Sequence, residues 1–200
     1  ESAGGGSSLA PQDHHGALLR SCGKPWPGLE MAILGPDGTP LPDGEVGELF
    51  SHTPYVFDGY WKNPEKTAEA FQGDWCSVGD MARRDEDGYI WLVDRKSNMI
   101  ISGGENIYPS EVEAAVGAHP SVKDVAVIGV PHDKWGETPC AFVELAEGQM
   151  ADADTLRGWC RSHLAGYKVP GQFVFTQIPR TSTGKIQKFA LRDAARKIGS

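Results

Sequence analysis

Cysteine is scarce in this chain of 200 residues, and its four thiols, Cys22, Cys76, Cys140 and Cys160, form no C-x-x-C pair. That spacing excludes a disulfide scaffold and a zinc knuckle and makes a reducing cytoplasm the default compartment. No apolar run approaches the length of a membrane span, so no transmembrane segment is expected. Positive charge is also short. Lys and Arg number 19 against 27 Asp and Glu, and the formal net charge of -8 argues against nucleic acid or an anionic membrane as a general partner. Familiar catalytic signatures are missing as well: there is no G-x-S-x-G elbow and no G-x-G-x-x-G. His14 and His15 share a polar loop, while His52, His119, His132 and His163 are scattered without ligand spacing, so no metal cluster is expected.

What remains is a globular composition, 40% hydrophobic, able to bury a core as one large domain or two small ones. The opening stretch "ESAGGGSSLAPQDHHG" reads as the continuation of a longer polypeptide. Charge is uneven along the chain. Near the end Arg180, Lys185, Lys188, Arg192, Arg196 and Lys197 face only Asp193, which leaves room for a local anion site.

The first part, residues 1–95, reads as a β-rich lobe. Apolar runs flank Asp37-Gly38 and again Asp87-Gly88, both hairpin signals. Asn63 followed by Pro64 predicts an N-cap and a short helix to about Phe71. From residue 96 to 200 the rhythm changes to alternating helix and strand. Ser110 and Glu113 have capping-box spacing, and Gly117 with Pro120 closes that helix. "VKDVAVIGV", "TPCAFVELA" and "QFVFT" are strand-like. Between them Leu156, Trp159, Cys160, His163 and Leu164 fall at helical spacing after Asp152, with Gly166 as the stop, and a last helix runs from Lys188 to Ile198. The fold class is therefore mixed α/β.

Three places carry chemistry. In "PRTSTGKIQKFALR", Lys185 follows a turn of small hydroxylated residues. Pro179 and Ile186 break the G-x-x-x-x-G-K-[ST] phosphate loop, so on composition alone a solvated surface lysine is the stronger reading. "SGGEN", Ser102 to Asn106, is a polar glycine loop that fits close approach to a ligand or an ordinary turn equally well. Asp80 after Gly79, and Arg95 after Asp94, suit a carboxylate at a strand end holding vicinal hydroxyls beside a cation, or a plain surface ion pair.

Taken in order, Gly59-Tyr60-Trp61, Asn63-Pro64-Glu65, Trp75, Gly79-Asp80, Asp87-Gly88-Tyr89, Asp94-Arg95, "MIISGGENIYPSEVE", "VAVIGVPHDKWGE" and "PRTSTGKIQKFALR" resemble the adenylate-forming acyl-CoA synthetases, with luciferases and peptide-synthetase adenylation domains. The resemblance implies the β-rich end of a large N-terminal adenylation domain followed by a small mobile α/β lid. It implies that Asp80 binds the ribose of ATP or AMP, that Arg95 holds the nucleotide, and that Lys185 bridges carboxylate and α-phosphate during adenylation. Glu1 would help hold Mg2+ with ATP. Ser97, with Lys96 beside it, would be the hinge, although the family usually has Asp or Lys at the position of Ser97. Ser102, Gly103, Gly104 and Glu105 would face the pantetheine channel. Tyr167 would stack on the CoA nucleotide or sit in the core, and Lys168 would pair with a CoA phosphate. Val169 and Gly171 supply no further cation there, and Val78 stands where the family commonly has Thr.

The implied activity is ligation of a carboxylic acid, fatty or aryl, to CoA through an acyl-adenylate. These 200 residues alone are expected to be inactive, because the phosphate loop and acyl pocket would lie in a preceding part of the polypeptide. Two rivals remain: loading of a carrier protein instead of CoA, and a non-catalytic docking module.

Overall fold

The computed structural model of the chain describes residues 6–198. Glu1, the expected magnesium-associated residue, lies outside them. The chain divides into two compact units, Glu1–Ser97 and Asn98–Ser200.

In the first unit, Ser7–Ser8 (β1) and Lys24–Pro25 (β2) pair as a short ribbon. The main sheet is antiparallel and built from Glu30–Leu34 (β3), Gly47–His52 (β4), Phe71–Gln72 (β5), Trp75–Arg84 (β6) and Ile90–Arg95 (β7), with β4 and β7 both paired to β6. Ile33, Leu49, Ala82 and Ile90 point to one face and form its core. Both hairpin expectations hold, but with different turns. At Asp87-Gly88 the turn is tight, and Asp85 receives the amide of Tyr89 on its side chain. Around Asp37-Gly38 the connection runs over residues 35–46 and turns twice, because Pro40 and Pro42 interrupt the ladder after the first turn. The helix Pro64–Ala70 (α1) starts as its sequence dictates: Asn63 Oδ1 accepts the Lys66 amide at 3.0 Å, with Pro64 at the first helical position.

The second unit holds the hairpin Ile100–Ser102 (β8) and Glu105–Ile107 (β9), then helix Pro109–Gly117 (α2). Val122–His132 (β10) and Gly136–Leu145 (β11) form its long central hairpin. Helix Ala153–Arg161 (α3), strand Gln172–Phe175 (β12) parallel to β11, and helix Lys188–Ile198 (α4) follow.

The near-continuous apolar runs of β10 and β11 are explained by burial on both faces of the sheet. Val125, Val127, Ala141 and Val143 pack with Val112 and Val116 of α2 and Leu156 and Cys160 of α3. Ala126, Ile128, Cys140 and Phe142 pack on the other face with Ile178 and with Leu191 of α4. Phe142 is only 1% exposed, and burial of such a side chain contributes roughly 1.5–3 kcal/mol.

Two helix ends differ from the sequence reading. Pro109 takes the first position of α2, so Tyr108 is its N-cap and Ser110 is already inside the helix. Glu113 does not close a capping box; its Oε1 accepts the Val127 amide at 2.8 Å and pairs with Lys188 at 2.7 Å. Helix α3 ends at Arg161 with Ser162 as C-cap, where the Ser162 hydroxyl donates to the Trp159 carbonyl, so His163 and Leu164 fall beyond it. No helix among the described residues is long and apolar enough to cross a membrane.

Candidate active site

In the first unit the expected site residue Asp80 sits on an irregularity of β6. Across β4 the register jumps, with Phe50 opposite Ser77 but Glu48 opposite Met81, so residues 78–80 bulge out of the ladder. Gly79 makes this possible by taking φ +78, a left-handed value that side-chain-bearing residues rarely adopt. Asp80 is therefore inside a strand, at a bulge, rather than at the strand end that the sequence suggested. Its register partner is Arg95 at the end of β7, and Arg95 Nε donates to Asp80 Oδ1 at 3.1 Å. The two side chains differ sharply in exposure, 13% for Asp80 and 66% for Arg95. Desolvation pushes the Asp80 carboxyl above its ordinary range; Arg95 opposes the shift and Asp94 adds to it.

Asp80, Arg95, Lys96 and Ser97 line an open cleft of about 1210 Å³ with Phe57, Tyr60 and Glu48. Glu48 was not anticipated. Its Oε2 accepts from Lys96 Nζ at 2.7 Å, and its Oε1 accepts from Ser77 Oγ at 2.5 Å. Ser77 Oγ in turn accepts the Gly79 amide at 3.1 Å. One carboxylate thus ties the bulge beside Asp80 to the residue that precedes Ser97.

In the second unit Lys185 lies on a miniature hairpin closed by the Arg180–Ile186 bridge. Thr181 organises it: its amide donates to the Lys185 carbonyl at 2.8 Å, its Oγ1 accepts the Lys185 amide at 3.1 Å, and its carbonyl accepts the Gly184 amide at 2.9 Å. The hydroxylated run is therefore the scaffold of the turn. Lys185 is exposed, and among the described residues its ammonium has no ion-pair partner.

"SGGEN" forms the tip of the β8–β9 hairpin, with Ser102 opposite Glu105 and Gly103-Gly104 between them. The Gly103 amide donates to the Trp135 carbonyl at 2.8 Å, and a Cβ at Gly103 would lie 2.8 Å from Trp135 Cε3. Glycine is required there by contact with an indole. Trp135 was not singled out as a site residue, yet it is 46% exposed beside this loop, with Lys134 Nζ 4.3 Å from its ring centroid and His132 Nδ1 accepting its amide.

Tyr167 is 45% exposed and so is not core, whereas Lys168 is engaged within the protein. Its ammonium donates to both oxygens of Glu111 at 2.7 Å, which raises its pKa above the ordinary lysine value. The partners that sequence reasoning missed, Glu48 for Lys96 and Glu111 for Lys168, lie 48 and 57 residues away. No local pattern announces a contact at that separation.

Two family models match the chain in tandem. The AMP-binding enzyme model covers residues 1–61, and the AMP-binding enzyme C-terminal domain model covers residues 111–185, ending on the lysine described above. The chain belongs to the AMP-binding, adenylate-forming enzymes. It is 43% identical over 187 residues to the 2-succinylbenzoate–CoA ligase of Geobacillus kaustophilus, a match covering 93% of this chain and 38% of that protein. It is 47% identical over 180 residues to a feruloyl-CoA synthase from an Amycolatopsis species, covering 90% of this chain and 37% of that one. Among solved structures, ATP-bound MatB from Rhodopseudomonas palustris superposes with a TM-score of 0.83 at 35% identity, over 90% of this chain and 37% of that one. The chain spans about two fifths of the length of the curated relatives it matches.

Proposed function

We propose that this chain is the C-terminal part of an AMP-forming carboxylate–CoA ligase, and that residues 1–95 end its adenylation domain while residues 96–200 form a lid pivoting at Lys96-Ser97. The observation that carries the reading is the exposed, unpaired ammonium of Lys185 on a preformed turn at the end of the matched C-terminal domain. In the first half-reaction an oxygen of the substrate carboxylate attacks the α-phosphorus of ATP and pyrophosphate leaves. This step gathers anions, and a positioned cation stabilises the charge where it accumulates. Lys185 is that cation. Asp80 accepts hydrogen bonds from the ribose hydroxyls, and Arg95 is held beside it for the nucleotide oxygens. In the second half-reaction the thiol sulfur of the acceptor, having lost its proton, attacks the acyl carbon, and AMP leaves. The loop Ser102 to Glu105 would line the pantetheine path.

Magnesium would come with the ATP phosphates and would offset their charge; Glu1, the carboxylate implied for it, lies outside the described residues. The acid is aryl or fatty: relatives named for succinylbenzoate and ferulate stand beside a long-chain-fatty-acid–CoA ligase of Mycobacterium tuberculosis, 39% identical over 196 residues. The buried, unpaired thiols of Cys76, Cys140 and Cys160 support a cytoplasmic location.

One observation favours a second acceptor. Lys168 is spent on Glu111, and Val169 and Gly171 are not basic, so the nucleotide end of free CoA finds little cation here. A carrier-bound phosphopantetheine lacks that nucleotide.

The test uses the full-length polypeptide carrying this chain. Lys185→Ala is expected to slow thioester formation from acid plus ATP by roughly 100- to 1000-fold while sparing thioester formation from presynthesised acyl-adenylate. Loss of both reactions, or of neither, overturns the role of Lys185. Running free CoA and a phosphopantetheinylated carrier protein side by side identifies the acceptor.

A further inference from the structure

Lys185 reaches from an exposed turn, and a cation that must meet a transferring phosphoryl group is useful only when its backbone is fixed. Thr181 shapes the turn from within, but nothing in those hydrogen bonds sets its place on the domain. Arg180 does. Its Nη1 donates to the Gly184 carbonyl at 2.6 Å, on the peptide immediately before Lys185, and its Nη2 donates to the Asp124 carboxylate on β10. Asp124 is itself fixed, because it sits at the register irregularity of β10 and its Oδ1 accepts the Val125 amide at 2.9 Å. We infer that Arg180 is a positioning residue for Lys185, a fork with one prong on the turn and one on the sheet, and that Asp124 is its anchor. The inference rests on the role given to Lys185 above.

The exposure of the pair decides what kind of effect to look for. Arg180 and Asp124 side chains are 43% and 25% exposed, and ion pairs of that exposure contribute little to global stability. A displacement of about 1 Å at a reacting group, by contrast, costs on the order of 100-fold in rate. The fork should therefore matter to one chemical step and hardly at all to folding. Planarity matters too, since a guanidinium serves two acceptors in fixed directions and an ammonium does not.

The experiment compares Arg180→Ala, Arg180→Lys and Lys185→Ala in the full-length polypeptide. Arg180→Ala is expected to lower the kcat of acyl-adenylate formation about 10- to 100-fold with KM for ATP nearly unchanged. Thioester formation from presynthesised acyl-adenylate and the melting temperature should stay at wild-type values, and Arg180→Lys should remain impaired. Hydrogen exchange at the Gly184 and Lys185 amides should quicken in both Arg180 variants. Full rescue by lysine would mean that the residue acts through charge alone, and overturns the inference. Equal loss of both half-reactions together with a lower melting temperature would make Arg180 merely structural, and also overturns it. If Lys185→Ala abolishes adenylation while Arg180→Ala is silent, the inference alone fails. If Lys185→Ala is itself silent, the reading of the lysine fails and takes the inference with it.

Discussion

Asp80 and Lys185 carry opposite charges, and the chain mounts them on opposite kinds of backbone. Asp80 sits inside the ten-residue strand β6, four-fifths or more shielded, with its partner Arg95 one register step across the ladder. Lys185 stands on a nine-residue excursion, 179–187, whose only ladder pairing is one isolated bridge. The anion is placed by a sheet that cannot move without breaking a hydrogen-bonded ladder. The cation is placed by a turn, by one arginine and by the packing of its neighbour Ile186 on the core. A group proposed to bind a nucleotide throughout a cycle belongs on the first, and a group proposed to enter and leave belongs on the second.

The largest effect that would break this contrast is at Asp80. Its folded pKa is raised above the unfolded value, so between those values the folded state binds more protons, and stability falls as pH rises through the window. Above the folded pKa the ionised carboxylate is a standing cost. Asp80→Asn removes that cost and leaves Arg95, 66% exposed, still hydrated. The melting temperature near pH 7 is expected to hold or rise, while nucleotide affinity falls about 10- to 100-fold, the usual worth of charge-assisted hydrogen bonds. Isothermal titration with ATP and a thermal scan check both halves. A clear drop in melting temperature would show that Asp80 is structural.

A smaller effect probes the turn. Gly184 has φ +85, and a Cβ built there meets nothing within 4 Å. Gly184→Ala therefore adds backbone strain and no clash, about 1–2 kcal/mol. Because the turn is exposed and contributes little to the core, that strain should appear as loss of turn order and a modest fall in adenylation rate, with little change in melting temperature. Calorimetry alongside a pyrophosphate-exchange assay distinguishes the outcomes. A large drop in melting temperature would mean that the turn is coupled to the fold far more tightly than its hydrogen bonds suggest.

How much of this was legible in the sequence depends on the range of the interaction. Asn63-Pro64, Asp87-Gly88, Asp152 and the apolar runs of β10 and β11 act through neighbours, and the elements they predict are present. The start of α2 was misplaced by competition between two local signals: a proline can occupy the first helical turn, and it displaced the Ser110 cap. The bulge at 78–80 was invisible because it is a mismatch between two strands, recorded only when β4 and β6 pair. The Glu48–Lys96 and Arg180–Asp124 contacts join residues 48 and 56 apart, beyond the reach of any local pattern. The residues proposed to carry chemistry stand in recognisable local motifs; the residues that touch them from 48 and 56 positions away do not.

Acid sharpens the contrast last and most gently, because the two regions carry carboxylates shifted in opposite directions. Glu144, on β11, supports the approach to the Lys185 turn: its Oε1 accepts from Lys123 Nζ at 2.5 Å and its Oε2 accepts the Ile178 amide at 3.4 Å. Lys123, Asp124 and Arg180 line the same groove, so the local charge is balanced at neutral pH. The hydrogen bond from Lys123, and after it the Ile178 amide, lower the Glu144 pKa below its ordinary value of 4.5. A depressed folded pKa means that its contribution is fully present above the unfolded value and is lost as pH falls through the folded one. Asp80, raised by desolvation, takes up its proton at a higher pH than an ordinary aspartate does. Nucleotide affinity should therefore begin to weaken at a higher pH than an ordinary aspartate would dictate, and faster exchange of the amides in 177–187 should appear only at a pH below the ordinary glutamate range, once the intrinsic pH dependence of exchange is removed. Glu144→Gln, which keeps an acceptor for the Ile178 amide but cannot titrate, should erase the second transition and leave the first. An exchange transition that survives Glu144→Gln would mean that another group holds the approach to the turn.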